Sequence, residues 1–330
     1  MKISSFAKAG ALATATALLF TGCSGGGGEG GASAVMYTSN NETTVGVVVD
    51  AAAAQDPSLK VDAVTGSSGP LLQRIETEAG SPAADVFYSA PADTLVDFTD
   101  VIATYESPEA AAIPEELRDP ENRWTPTNTH VVAFMANTDQ IDGGSAPTTW
   151  EELTDPEWAG KVVIADPEQS STAFTALYGA YKVLGEDGFA DLAENLTVTE
   201  NSSNVYPAVA QGEYAVSIGY ESNIYPYVAG EQAGIEMIYP EDGTFVEYDS
   251  AFLVKDGPNG EAGEQLIDTL LSKETQEQNL EQSFRRPSRD DIDPTQFVEF
   301  EKLEDLTVVD IHGDDDAQGR EDFLALWQSL

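Results

Sequence analysis

From Ala34 onward, short apolar runs alternate with amphipathic helical patterns, and this rhythm restricts the chain to an α/β fold. Val35-Met36-Tyr37-Thr38 reads as a strand and residues 45–54 as a helix. Residues 59–65 alternate like a strand, and Pro70 then stands in the first turn of a helix carrying Leu71, Leu72 and Ile75. Residues 84–89, 131–136, 162–165, 214–219 and 235–239 read as further buried strands. Between the strands at 162–165 and 214–219, Phe174, Leu177, Tyr178, Tyr181 and Leu184 share one helical face. Strands separated by helices predict largely parallel sheets. No internal repeat with a period of about 20–50 residues is present, which excludes solenoids and propellers. Ligands in such folds bind beyond the carboxyl ends of strands and at helix N-termini.

Residues 1–23 read as an export signal. Lys2 and Lys8 supply its basic start, and residues 9–20 form an apolar stretch too short to span a bilayer. It ends Phe20-Thr21-Gly22-Cys23, which resembles a lipobox, where the peptide is cleaved before a cysteine that is then lipidated. Cys23 is the single cysteine, so no intrachain disulfide is available. Residues 24–33 are dominated by glycine and form a tether spanning roughly 17–19 Å root-mean-square. The expected product is an exported domain, lipid-anchored through Cys23 to the outer face of the cytoplasmic membrane.

The charge excludes several partners. With 58 Asp and Glu against 15 Lys and Arg, the formal net charge is −43. Such a chain repels a phosphate backbone, so nucleic-acid binding is excluded and anionic membrane surfaces are disfavoured. Self-repulsion on this scale weakens the compact state unless ions screen it, which points to a protein adapted to salt. Acidic pairs are so common here that they say nothing about acid–base catalysis. The two histidines, His130 and His312, lack His or Cys partners at metal-ligand spacing. There is no Gly-x-Ser-x-Gly elbow, phosphate loop or dinucleotide fingerprint. Asp314-Asp315-Asp316 lacks the spacing of a calcium loop. No enzyme and no cofactor are expected.

Binding signals are better. Thr38-Ser39-Asn40-Asn41, Gly66-Ser67-Ser68-Gly69 and Gln169-Ser170-Ser171-Thr172 are hydroxyl-rich turns, each following a predicted strand. Free backbone N–H groups and the helix dipole favour an anion at such places, although ordinary N-capping accounts for any one of them alone. Gly219-Tyr220-Glu221-Ser222-Asn223 also follows a strand, with Tyr225 and Tyr227 beyond it. Glu221 there suits a ligand amine, a metal, or no ligand at all. Arg285, Arg286 and Arg289 place three of the 15 cations within five residues. Either an anion must be held there, or Asp290 and Asp291 pair with them locally.

Several stretches in order resemble the type 2 extracellular solute-binding proteins of ABC importers, in the branch of ferric-iron, phosphonate and hexose-phosphate binders. They are Val35-Met36-Tyr37-Thr38-Ser39, Gly66-Ser67-Ser68-Gly69 with Leu71-Leu72, Ala84-Asp85-Val86-Phe87-Tyr88-Ser89 and Thr149-Trp150-Glu151-Glu152-Leu153. Asp155-Pro156-Glu157-Trp158-Ala159-Gly160-Lys161, Tyr239-Pro240-Glu241-Asp242-Gly243-Thr244 and Phe284-Arg285-Arg286-Pro287 complete the set.

The resemblance implies two hinged α/β lobes with the ligand in the cleft between them. Lobe 1 would comprise 34–127 plus 251–287, and lobe 2 would comprise 128–250 plus 288–330. It further implies a monomer that delivers a small polar ligand to an ABC permease and its ATPase. For a phosphonate or phosphorylated ligand, the implied contacts are Thr38, Ser39, Asn40, Ser67, Ser68, Gly69, Ser170, Ser171, Thr172, Tyr220, Glu221, Tyr225, Arg285 and Arg286. For ferric iron, the alternative, they are Tyr37, Tyr88, Tyr220, Glu221 and Tyr225. Iron binders of this type carry a His where Asn40-Asn41 stand, and often an acid where Ala90-Pro91 stand. A surface enzyme or a sensory or adhesion module is the reading from another class; the chain shows neither β-rich repeats nor a partner domain.

Overall fold

The computed structural model describes residues 33–143, 145–200, 204–312 and 316–330. Cys23, the signal peptide, the tether before Ser33, and Asp314 and Asp315 lie outside the described residues. The elements run β1 (Ser33–Thr38), α1 (Glu42–Gln55), β2 (Lys60–Thr65), α2 (Ser68–Glu78), β3 (Val86–Pro91), α3 (Ala92–Leu95), β4 (Ile102–Ala103) and β5 (Thr125–Asn137). Next come β6 (Val162–Ala165), α4 (Ser171–Asn195), β7 (Leu196–Thr199), α5 (Val205–Ala210), β8 (Val216–Tyr220), α6 (Glu221–Ala229) and β9 (Ile235–Ile238). The chain closes with β10 (Val246–Val254), α7 (Gly260–Leu271), α8 (Lys273–Ser283), β11 (Arg286–Pro287) and α9 (Asp316–Ser329). Helix α4 is broken at Gly185, whose φ of 69° only glycine adopts without strain. No helix among the described residues is long and apolar enough to cross a membrane.

The strands are hydrogen-bonded in the order β2-β1-β3-β10-β5-β8-β6-β7. Strand β1 is parallel to β2 and β3, and β6 is parallel to β7 and β8. The expectation of largely parallel sheets fails at the centre, where β10 runs antiparallel to both β3 and β5, and β5 antiparallel to β8 and β9. The cause is the length of β5. Its first residues pair with β10, with Asn128 opposite Asp249, and residues 132–137 pair with β8 and β9. One long strand thus belongs to both halves of the sheet.

Burial on both faces explains the apolar runs. Along β10, Ala251 and Leu253 pack with Met36, Val48 and Leu266 on one side. Phe252 and Val254, between them, pack with Tyr37, Leu72 and Phe87 on the other. This is the two-residue alternation of a pleated strand. The half built on β6 and β8 has a separate core of Val162, Ile164, Leu177, Phe189, Ile218 and Phe245 around Trp150. With both faces covered by helices and loops, the strand ends are where a polar cavity can form.

Candidate ligand-binding site

A cavity of about 150 Å³ lies where β1, β3 and β8 end and helices α2 and α4 begin. Ser39 and Asn40 reach it from the turn after β1, Ser68 from the start of α2, and Ser89 and Pro91 from the end of β3. From the other half come Ser171 and Thr172 at the start of α4, with Tyr220 and Asn223 around the start of α6. His130 of β5, Asp249 of β10 and Arg285 line it from the middle. A second cavity of about 270 Å³ shares Thr172 and Asn223 with the first and adds Ile164, Ser170, Val205, Tyr206 and Ile218.

Three helices open at this cavity. Their first-turn N–H groups have no intrahelical acceptor, and each N-terminus carries a partial positive charge. The N-cap of α4, Ser170, accepts from Ala173 N. The N-caps of α2 and α6, Ser67 and Tyr220, make no side-chain cap bond. Asn40 is 3% exposed, and neither its Oδ1 nor its Nδ2 has a partner. An amide buried without partners is expensive, about 1–3 kcal/mol, which marks the place where a ligand supplies the missing bonds.

Ser89 is the strained residue of the site. Its φ is 85°, and the pairing of β3 with β10 slips between Ser250 and Ala251, so it is the extra residue of a bulge. The bulge turns its carbonyl to accept from the Ser39 and Ser68 hydroxyls, at 3.0 and 3.3 Å. Its own hydroxyl donates to Asp249 Oδ2 at 2.5 Å. The His130 ring stacks on Tyr220, with centroids 4.4 Å apart. His130 Nε2 lies 2.9 Å from Arg285 Nη1, 3.0 Å from Asn128 Nδ2 and 3.0 Å from Asp249 Oδ2. Burial pulls the imidazole below its ordinary value against the pull of Asp249. Burial pushes the Asp249 carboxyl up, but His130, Arg285 and the Ser89 hydroxyl outweigh it and hold it below the usual carboxylate range. Ser89, Asp249 and His130 do not form a nucleophile relay. The serine hydroxyl donates to the carboxylate rather than to the imidazole, which is not the serine-to-histidine order of a hydrolase triad.

Arg285 and Arg286 part company. The α8 C-cap, Phe284, adopts a left-handed φ of 56°, and the chain then runs extended into β11. Successive extended residues face opposite ways. Arg285 lines the cavity, whereas Arg286 is 3% exposed and donates twice to the buried Glu221 carboxylate, at 2.8 Å each. Tyr239 adds a 2.5 Å hydrogen bond to Glu221 Oε2, and Arg286 also donates to Glu301 O. Arg286 and Glu221, both expected at the ligand, are therefore committed to each other and not to the cavity. Arg289 pairs with Asp291 and Glu109.

Of the other expected contacts, Ser39, Asn40, Ser68, Ser171, Thr172, Tyr220 and Arg285 meet at one cavity, and Ser170 lines the adjoining one. Thr38 is buried and accepts from Asn40 N, while Ser67 and Gly69 are exposed beside the cavity wall. Tyr225 is packed against Phe284 and Phe300, its hydroxyl accepting from Glu299 N. The phenols named for iron are likewise dispersed. Tyr37 donates to Glu78 inside an apolar cluster, and burial raises Tyr88 to about 12. Tyr220 donates to Thr175 and is pushed far above its ordinary value by burial. Burial thus opposes the phenolate form at Tyr88 and Tyr220 that a ferric site uses. Among the described residues, one group has metal-ligand spacing: Asp93, Glu247 and His312, with donor atoms within 4.8 Å of one another. Asp93 there already pairs with Arg320, and none of the three lines the cavity.

Ser89, His130, Asn223 and Asp249 were not expected at the site. The signal for Asp249 is present in the sequence: a carboxylate beside Ser250, directly before the apolar run Ala251-Phe252-Leu253-Val254, is a buried charge that needs a reason.

A polar cavity fed by strand ends and helix N-termini from both halves of an α/β sheet is where such folds hold small ligands. The profile of the family described as bacterial extracellular solute-binding protein matches residues 81–311, and the chain belongs to that family. It is 26% identical over 245 residues, 70% of each chain, to a putative 2-aminoethylphosphonate-binding periplasmic protein of Salmonella typhimurium. Its fold is that of the periplasmic binding protein AfuA from Actinobacillus pleuropneumoniae, solved with fructose-6-phosphate. The TM-score is 0.75 at 24% identity, covering 90% of this chain and 96% of that one. Iron-bound HitA from Pseudomonas aeruginosa has the same fold, with a TM-score of 0.75, 21% identity, and coverage of 90% and 99%. The protein is thus a solute-binding protein of the ABC importer class, a class that works with a permease and an ATPase.

Proposed function

We propose that the protein captures a small organic phosphorus oxyanion, a phosphonate or a phosphate monoester, and delivers it to its permease as a lipid-anchored monomer held through Cys23. The observation that carries this reading is the convergence of Ser39, Asn40, Ser68, Ser171 and Thr172 with Arg285 at one cavity. Such a set offers hydroxyl, amide and backbone donors and one guanidinium with unused N–H groups. The rest of the ligand lies in the adjoining cavity, which has no charged residue among the described residues that line it. With Glu221 engaged by Arg286, an amine on the ligand gains no counter-ion from it. The two lobes of this reading are 34–127 plus 251–287 and 128–250 plus 288–330, with β5 and β10 as the crossings and closure around the anion.

Thermal-shift screening in molar salt tests the ligand class, comparing phosphonates, sugar phosphates and ferric citrate. A phosphorus compound at a hundred times its Kd is expected to add about 2.7 kcal/mol of stability. Stabilisation by ferric iron alone, with no phosphorus compound acting, would contradict the reading.

A further inference from the structure

Two acceptors sit in this cavity where an anion is to be held. Asp249 lines it as a carboxylate, and its Oδ2 is occupied by Ser89, His130 and Arg285. No hydrogen bond among the described residues falls on its Oδ1. Asn40, buried and unpartnered, adds a second open carbonyl oxygen along with its amide donor. An anion with no proton to give meets the Asp249 oxygen as repulsion, whereas Asn40 can present its amide N–H instead. An anion that retains one proton turns the contact with Asp249 into a charge-assisted hydrogen bond.

We propose that the cavity selects oxyanions that keep a proton, the monoanion of a phosphonate or phosphate monoester, and that Asp249 reads that proton and thereby rejects sulfonates and sulfates. This rests on the phosphorus reading above and narrows it. A phosphonate monoanion and the matching sulfonate share tetrahedral shape and charge, and differ by the single P–OH hydrogen. Losing that bond and gaining an oxygen–oxygen contact should cost about 10- to 150-fold in affinity.

The test is titration calorimetry of the full chain in molar salt at about pH 5.5, where phosphate monoesters, with a second pKa of about 6, are mainly singly charged. The probes are methylphosphonate against methanesulfonate, and fructose 6-phosphate against its 6-sulfate. The phosphorus member of each pair should bind at least about tenfold more tightly. Asp249→Asn, whose amide can donate to a sulfonate oxygen, should bring the two within about threefold, whereas Asn40→Ala should weaken both members of each pair alike. Sulfonates that bind the native protein as tightly as phosphonates would overturn the proposal and leave the oxyanion site standing. So would a gap unchanged in Asp249→Asn. If no phosphorus compound binds while ferric iron does, the phosphorus reading itself fails, and this one with it.

Discussion

Replacing Arg286 with alanine is expected to remove about 3–5 kcal/mol of folding stability, a large share of the roughly 5–15 kcal/mol that a domain possesses. Arg286 and Glu221 are 3% and 0% exposed, and two 2.8 Å hydrogen bonds join them. Desolvating each ion is expensive, and the pair is tolerated because each neutralises the other. Truncating the arginine strands a buried carboxylate at the first position of α6, with Tyr239 alone among the described residues to serve it by a side-chain hydrogen bond. The double variant Glu221→Leu with Arg286→Met should recover much of the loss, because it removes both charges together. Denaturant titration of the three proteins in molar salt measures this. An Arg286→Ala protein as stable as the native one would show that the ion pair is not formed.

Arg285→Ala should behave in the opposite way, folding normally and losing ligand. Its guanidinium uses Nη1 for His130 and lies 3.9 Å from Asp249, which leaves further N–H donors for an incoming anion. Among the described residues that line the cavity it is the one cation. One charge-assisted hydrogen bond in a closed cleft is worth about 1.5–3 kcal/mol, or roughly 10- to 150-fold in Kd. The loss falls toward the upper end, because Asp249 without its neighbour repels the ligand more strongly. Arg285→Lys keeps the charge but not the planar fork, and should recover only part of the affinity. The protein's own charge of −43 makes this short-range capture necessary, since its long-range field opposes every anion that approaches. In molar salt the Debye length is about 3 Å, and that opposition is largely screened.

Local pattern carried much of the fold. The apolar runs that became β1, β3, β6 and β8 were legible because strands buried on both faces are continuously hydrophobic, and the exposed edge strand β2 was legible by its alternation. Strand β10 was not legible, because Glu247 and Asp249 interrupt its pattern, and with it went the antiparallel centre of the sheet. The hydroxyl turns at Ser39, Ser68 and Ser171 were legible for a related reason: turns after parallel strands all face one end of a sheet. What a linear reading could not see was direction. Arg285 and Arg286 are neighbours of the same chemistry, and only the αL turn at Phe284 decides which reaches the cavity and which reaches Glu221. Likewise, Ser89 becomes a site residue through a bulge that depends on the register of β10, far away in sequence.

The most direct test of the central claim is a crystal structure of the protein with a bound organophosphate. The phosphorus should sit between the first turns of α2 and α4. Its oxygens should lie within about 2.7–2.9 Å of charged donors from Arg285 and at ordinary hydrogen-bond distance from the backbone N–H groups near Ser68 and Thr172. A phosphoryl group found outside this cavity, or held there without Arg285 and without either helix start, would contradict the account.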